Sequence, residues 1–557
     1  MSWSERLDHW SGGWRGPVLA AFVAFLAGLP GLIAMPVLDR DEARFAQATA
    51  QMLESGDFVV IRFQGDPRFK KPAGIHWLQS ASVASLSSVE ARAIWAYRIP
   101  SLLGAMIAAA ACAWGARALF GARTAVIAGV LLGATLLLST EAFIAKTDAA
   151  LAGATTLAMA ALARLYAARR GGPVLRPATV WVFWAALAAG ILIKGPIAPM
   201  VVGLSLLALV IVERRGDWLA DLKPVWGLIL VAAVVGPWAG AVTVATDGGF
   251  WTEAIGADLA PKLAGGQESH GAPPGYHLLL TPFLAFPMTL LLPAALIGAW
   301  RHRGETGVRF ALCWFLPTFL VFELSPTKLP HYPLPTYAAL AWLAARAFAE
   351  PLSPGARYAG AGLGALVGLV LAVACVYLAA LYGDPTDVWA VTLAAGLFAG
   401  AGLLPAWFMA RRAVGEATAA ALGLAILAHG ALAALVVPGL EPLKVSARLE
   451  AALEAARLLP RQGVAEAPVA VAGYAEPSLV FALGTTTELH GAAEAAAAIV
   501  QGRPAIVEAA EAERFRAALA RDGVGVREVA RVDGLNYSKG DPVSLGIYMA
   551  AGREDER

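Results

Sequence analysis

Four stretches of this 557-residue chain hold side chains whose types and spacing could do chemistry. The first is Asp39-Arg40-Asp41-Glu42-Ala43-Arg44-Phe45. Phe45, Thr49, Met52 and Leu53 recur at i, i+4, i+7 and i+8, with Arg44, Gln47, Gln51 and Glu54 opposite, which is an amphipathic helix stopped by Gly56. Such a helix is expected to lie along a membrane surface. Asp39 as N-cap and Glu42 at N3 read as a capping box. Asp41 is then left over, either as a carboxylate favouring the helix dipole or as a catalytic group. The second stretch is Arg68-Phe69-Lys70-Lys71-Pro72. Pro72 keeps Lys71 out of helical geometry, and a helix over 75–85 turns its N-terminus toward the same place. Cations beside a helix N-terminus make a phosphate site; the alternative is a lysine pair touching lipid headgroups.

The third stretch is split. Lys146-Thr147-Asp148 opens a long apolar run, with Asp148 as its N-cap or as a second acid. Ile193-Lys194-Gly195-Pro196 puts a cation at a helix break, where it is costly unless paired. The fourth, Ser325 to Pro335, is a proline-studded loop carrying Lys328 and Tyr332. Asp258, Glu268, His270 and His277 lie in or near the long loop before it. His270 is a weak candidate metal or substrate contact, since a lone histidine is more often structural.

These stretches must be positioned by a membrane protein. The chain is 58% hydrophobic and 15% charged, against roughly a quarter charged for soluble chains. That excludes an ordinary soluble enzyme, a disordered scaffold and a disulfide module. Cys112, Cys313 and Cys375 have neither zinc nor disulfide spacing and read as small core residues. A net charge of +2 gives no sign of nucleic acid. Apolar runs near 17–37, 93–116, 124–140, 149–168, 178–194, 196–212, 224–246, 278–300, 308–324, 335–349, 358–382, 388–409 and 417–437 predict about thirteen spans. The first is too long, and lacks a small-residue cleavage site, for a removed signal peptide. Arg and Lys crowd alternate loops (Arg117, Arg169, Arg170, Arg214, Arg309, Arg411), which predicts a cytoplasmic N-terminus. The basic loop 39–92 then falls outside, against the charge rule, as an anion site would require.

From Glu441 onward the chain carries 13 basic and 17 acidic residues, the charge density of a soluble domain. Short β-rich runs (469–471, 505–507, 543–548) alternate there with helical ones (447–458, 492–500, 509–521), which predicts a small α/β domain. The expected division is a membrane domain over 1–440 and a periplasmic α/β domain over 441–557.

Asp41-Glu42-Ala43-Arg44-Phe45, Met52-Leu53-Glu54-Ser55-Gly56-Asp57-Phe58, Phe69-Lys70-Lys71-Pro72 and Trp77-Leu78 resemble the signature of the aminoarabinose-transferase-like glycosyltransferases. These are relatives of the protein O-mannosyltransferases in the GT-C superfamily. Leu192 to Pro196, Lys328 to Pro335 and Tyr474 to Phe481 also fit, so the likeness runs from about residue 35 to 545. The resemblance implies a GT-C fold with juxtamembrane helices. It also implies inverting transfer of a sugar from a polyprenyl phosphate to lipid A, another lipopolysaccharide element or a glycolipid, on the outer face of a bacterial inner membrane. By the same resemblance Asp41 is the catalytic carboxylate and Asp148 the second acid. Arg44, Lys71, Lys194 and Lys328 surround the donor phosphate, with Tyr332 nearby and Lys70 as an added cation. The chain departs from the family at one point: Lys70 stands where a glutamate implicated in divalent-metal binding is usual, which argues against a metal here. The competing readings are a protein O-glycosyltransferase, a lipid or sugar flippase, and a non-catalytic subunit. Charges at the outer rim rather than at midplane helix breaks disfavour a transporter.

Overall fold

A computed structural model describes residues 10–261, 271–460 and 468–551. The expected apolar runs all fall on helices, but the helices are not alike. Among the described residues, eight are long and apolar enough to cross a bilayer, including Arg15–Ala34, Ile94–Phe120, Asp148–Ala168 and Thr306–Leu324. Two bent pairs are apolar and long enough only when taken together: Ala122–Gly133 with Leu136–Ala142 (59°), and Tyr276–Leu284 with Met288–Arg301 (111°). The two bends meet, because the Leu136 N–H donates to the Phe286 carbonyl at 2.8 Å. Backbone groups released by a break in an apolar medium need such a partner. Ala178–Lys194 and Ile197–Glu213 are separate 17-residue helices, parted at Gly195 with φ 59°. The run 335–349 is a helix of only 10 residues, Tyr337–Arg346, between two 3-10 turns and buried among its neighbours.

Helix Asp148–Ala168 is the axis of the bundle, with 83% of its apolar window inside the protein. Small residues allow this. A Cβ on Gly104 would meet the Ala150 backbone at 2.5 Å, and one on Gly153 would meet the Gly104 carbonyl at 2.6 Å, so this helix and Ile94–Phe120 touch backbone to backbone. The opposite case is Pro224–Ala245, only 11% buried and left to face acyl chains. Cys112, Cys313 and Cys375 are free and buried in the bundle, as expected.

Residues of the loops expected inside gather at one end of the bundle: Glu213 binds Arg170 and Arg309, and Arg346 binds Glu305. The residues expected to do chemistry gather at the other end. Over that end sits the tail, a five-stranded sheet in the spatial order Glu488–His490, Ala470–Ala472, Ala505–Glu508, Asp541–Ala550, Val526–Asn536. Its strands are β3 (Ala470–Ala472), β4 (Glu488–His490), β5 (Ala505–Glu508), β6 (Val526–Asn536) and β7 (Asp541–Ala550); β4, β3 and β5 run parallel, and β7 is antiparallel to β5 and β6. The short central β3 is buried at every residue, as a strand covered on both faces must be. The sequence reading missed β4 and β6 because edge strands carry charges that hide the alternation. It also missed helix Pro477–Leu483, which packs on Arg40–Ser55.

Candidate active site

Helix Arg40–Ser55 starts where expected. Asp39 accepts the N–H groups of Asp41 at 2.7 Å and Glu42 at 3.0 Å, and Gly56 ends the helix in the left-handed region at φ 71°. The capping box is incomplete, however. Glu42 does not close it; its carboxylate is buried and takes two bonds from Arg98, at 2.7 and 2.9 Å, and one from the Ala145 N–H at 2.8 Å. Arg98 also donates to the Met35 carbonyl at 2.7 Å. Glu42 therefore fastens the helix to the first two spans and to the 143–147 loop. The polar face of this helix is covered rather than open to water: Gln47 is wholly buried, donating to Thr485 of the tail at 2.7 Å and accepting from Arg92 at 2.8 Å. Polar side chains that looked solvated are satisfied by the second domain.

Asp41 is thus held at the mouth of the bundle with one carboxylate oxygen 3.3 Å from Arg44 and 3.5 Å from Arg68. Arg68 is aimed by Phe45, over whose ring its guanidinium sits at 5.0 Å, while the buried imidazole of His76 stacks near the same ring with centroids 5.3 Å apart. Burial pushes the Asp41 carboxyl up, but the guanidiniums of Arg68 and Arg44, with the Lys146 ammonium further off, hold it below the usual carboxylate value. It is ionised at neutral pH. Burial also lowers the His76 pKa, to about 3, so this ring is a neutral partner for Thr49, 2.8 Å away.

Arg68 closes a small hairpin, β1 (Arg62–Phe63) with β2 (Asp66–Pro67). Gln51 clamps its turn through the Gln64 carbonyl at 2.6 Å and N–H at 2.8 Å. Half-buried Lys70 and Lys71 follow directly, before helix Gly74–Leu86. Gly74 is needed there: a Cβ would lie 2.5 Å from the Leu192 carbonyl oxygen. This close approach brings the lysine turn against the end of helix Ala178–Lys194.

The third stretch forms the floor. Asp148 does not cap its helix; its carboxylate takes the Lys194 ammonium, so the costly cation at the break is paired. Lys146 lies 3.3 Å from Glu141 and 3.4 Å from Asp39. Burial works against its charge, but the carboxylates of Glu141, Asp39 and Asp148 raise its pKa and keep it protonated. His331 stands between the two acids, 3.6 Å from Glu141 and 3.6 Å from Asp148. Burial lowers its pKa to about 3, opposed by Asp148 and aided by Lys146 and Lys194. Tyr332 lies beside them, with Lys194 Nζ 5.8 Å from its ring centre.

The structure therefore brings Asp41, Arg44, Asp148, Lys194 and Tyr332 to one place, with Lys70 and Lys71 at its edge. Lys328 differs: it is buried and donates to the Ser325 carbonyl, holding the loop that carries His331. His270 and Glu268 lie outside the described residues. His277 is structural, its ring 2.9 Å from Glu323. Of the other groups gathered here, Arg68 and Lys146 stand in stretches singled out from the sequence, whereas Glu141 and His331 had been given no role of their own. Glu141 had left a signal, a carboxylate inside an apolar run.

Glu141, Asp148 and His331 offer a metal ion ligand atoms within 4.8 Å of one another, but ammonium groups already sit on both carboxylates. What the arrangement can do is hold an anionic lipid headgroup against cations while an ionised carboxylate waits beside it.

Comparison with known proteins gives the same direction. Residues 70–240 match the dolichyl-phosphate-mannose-protein mannosyltransferase family. The undecaprenyl phosphate-alpha-4-amino-4-deoxy-L-arabinose arabinosyl transferase of Aeromonas salmonicida is 30% identical over 380 residues, 66% of this chain and 68% of that one. Its namesake from Aeromonas hydrophila is 30% identical over 399 residues, 69% and 71% of the two chains. The crystal structure of ArnT from Cupriavidus metallidurans bound to undecaprenyl phosphate superposes with a TM-score of 0.73 at 21% identity, over 95% of this chain and 97% of that one.

Proposed function

Since the chain belongs to the family of the undecaprenyl phosphate-aminoarabinose arabinosyl transferases, multi-pass membrane glycosyltransferases of the GT-C fold, we propose that it moves a monosaccharide from undecaprenyl phosphate to lipid A, another lipopolysaccharide element or a glycolipid. The reaction takes place at the periplasmic face of the inner membrane. The observation that carries this reading is the ionised Asp41 held between Arg44 and Arg68 at the rim of an otherwise charge-poor bundle.

The donor's tail lies along the apolar flank of the bundle, and its phosphate meets Arg44, Arg68, Lys71 and Lys70 near the headgroup plane. Developing charge on the leaving phosphate is stabilised by cations already in place. An acceptor oxygen approaches the anomeric carbon from the opposite side, which inverts the sugar. Asp41 accepts a hydrogen bond from an acceptor hydroxyl and takes its proton as the new bond forms. When the phosphate draws the guanidiniums away, the Asp41 carboxyl becomes the stronger base. Asp148 and Lys194 form a fixed pair under the sugar, held from below by His331 and Glu141. Lys70 adds a positive group for the phosphate or for an acidic sugar; equal use of neutral, amino and acidic sugar donors would count against the latter.

The test is a purified transfer assay. Asp41→Asn lowers turnover by about a hundredfold or more with folded protein retained, and Lys71→Ala raises the donor KM. Retained turnover in Asp41→Asn removes the carboxylate from the mechanism. With lysines in the cation positions, a chelator leaves the rate unchanged; a loss restored by added divalent ion sinks that part. A lipid A and glycolipid mass comparison between deletion and parent cells identifies the acceptor.

A further inference from the structure

The bundle end remote from Asp41 holds a second built feature that sugar transfer does not use. Helices Ile197–Glu213 and Thr306–Leu324 pack together, and a cavity of about 990 Å³ opens where they meet the neighbouring loops. Its lining is divided by polarity. Val212, Leu312, Leu316 and Pro317 form an apolar wall running along the helices, and Arg169, Arg170, Arg215, Arg303 and Arg309 ring the mouth. The wall is open to the side, with Val212 59% and Leu316 47% exposed.

The charges at the mouth do not balance. Glu213 is shared by Arg170, by Arg309 at 2.9 Å and by the Tyr166 hydroxyl at 2.5 Å. Asp221 holds Arg169, and Asp217 lies 3.4 Å from Arg215. Arg303 meets no carboxylate among the described residues; it donates to the Trp300 carbonyl at 2.6 Å and lies over that ring at 4.7 Å. Three carboxylates thus serve four guanidiniums and leave Arg303 without one, each guanidinium having five N–H donors. From Arg309 to Leu316 the helix rises about 10 Å, so a group held at the mouth has an apolar slot directly beneath it.

We propose that this cavity binds an anionic phospholipid of the leaflet opposite the active site, its phosphodiester on Arg215, Arg303 and Arg309 and one acyl chain along Leu312 and Leu316. Arginine forks suit phosphate oxygens, and basic pockets between spans suit acidic headgroups. A zwitterionic headgroup brings an ammonium that the excess positive charge repels. A soluble phosphate has no use for the apolar wall. The inference rests on the bundle crossing a bilayer, and on neither the donor nor the acceptor assigned above.

The full chain in detergent, supplied with phosphatidylglycerol or phosphatidylcholine and examined by native mass spectrometry, tests it. Phosphatidylglycerol is retained in preference, and the Arg215→Gln, Arg303→Gln double variant loses that preference by about tenfold. Leu316→Trp fills the slot and loses the lipid with the charges intact, which keeps the test open should the arginine variant misfold. Glycerol 3-phosphate, a headgroup without a chain, does not displace the lipid. Equal retention of the two lipids, unchanged retention in the variants, or displacement by glycerol 3-phosphate overturns the site.

Discussion

Asp41 has half of its side chain exposed, yet it is ionised because Arg68 and Arg44 outweigh its burial. The pH dependence of transfer follows from that balance. A depressed carboxylate stays ionised below the usual carboxylate range, so the rate is flat through neutrality and its acid limb lies below that of an ordinary aspartate. Arg68→Gln removes the stronger of the two guanidinium influences and moves this acid limb to higher pH; an unmoved limb means that Asp41 is not the titrating group. Asp41 was legible in the sequence because a capping box leaves one carboxylate over. Arg68 was not, since its role depends on Phe45, 23 positions earlier, turning the guanidinium toward the acid.

Helix Arg40–Ser55 carries the acid, and its fastening is Glu42. Breaking a buried ion pair from one side leaves an uncompensated charge, at about 3–5 kcal/mol. Glu42→Gln therefore lowers the denaturation midpoint sharply, while Glu42→Leu with Arg98→Met recovers part of the loss. Thermal unfolding of Glu42→Leu, Arg98→Met, their double variant and Glu42→Gln measures this, and additive losses in the double variant would refute the pairing. Glu42 looked like a local cap because it stands three residues after Asp39. Its true partner, Arg98, lies in the second span, and no spacing rule links the two. Period and termini made the helix itself legible, and they also gave Gly56 as its stop.

At the scale of the molecule, the tail completes the site's support. Thr485 accepts from Gln47 and donates to Glu54 at 2.6 Å, Arg40 lies 3.1 Å from Glu476, and Phe481 packs edge-on against Tyr97 at 5.3 Å. Thr485→Ala strands buried Gln47 and is expected to cost about 1–3 kcal/mol, with a fall in turnover as helix Arg40–Ser55 loosens. Hydrogen exchange over residues 40–55 checks it: unchanged protection there would show the tail to be a passive cover. The tail's soluble character was plain from its charge density. Its contact with the helix was not, because Gln47, Gln51 and Glu54 read equally well as a face toward water.

The sequence alone determined the bilayer character, the positions of the apolar runs, the two-part organisation, the helix that carries Asp41 and most of the residues that gather at its mouth. These follow from composition, from periodicity and from residue types whose burial needs a reason. Only the tertiary structure decided which charge neutralises which: Glu42 with Arg98, Asp148 with Lys194, Lys146 with Glu141. Electrostatic pairing in an apolar interior is fixed by distances of a few ångströms across separate helices, and those distances exist only after the helices have packed.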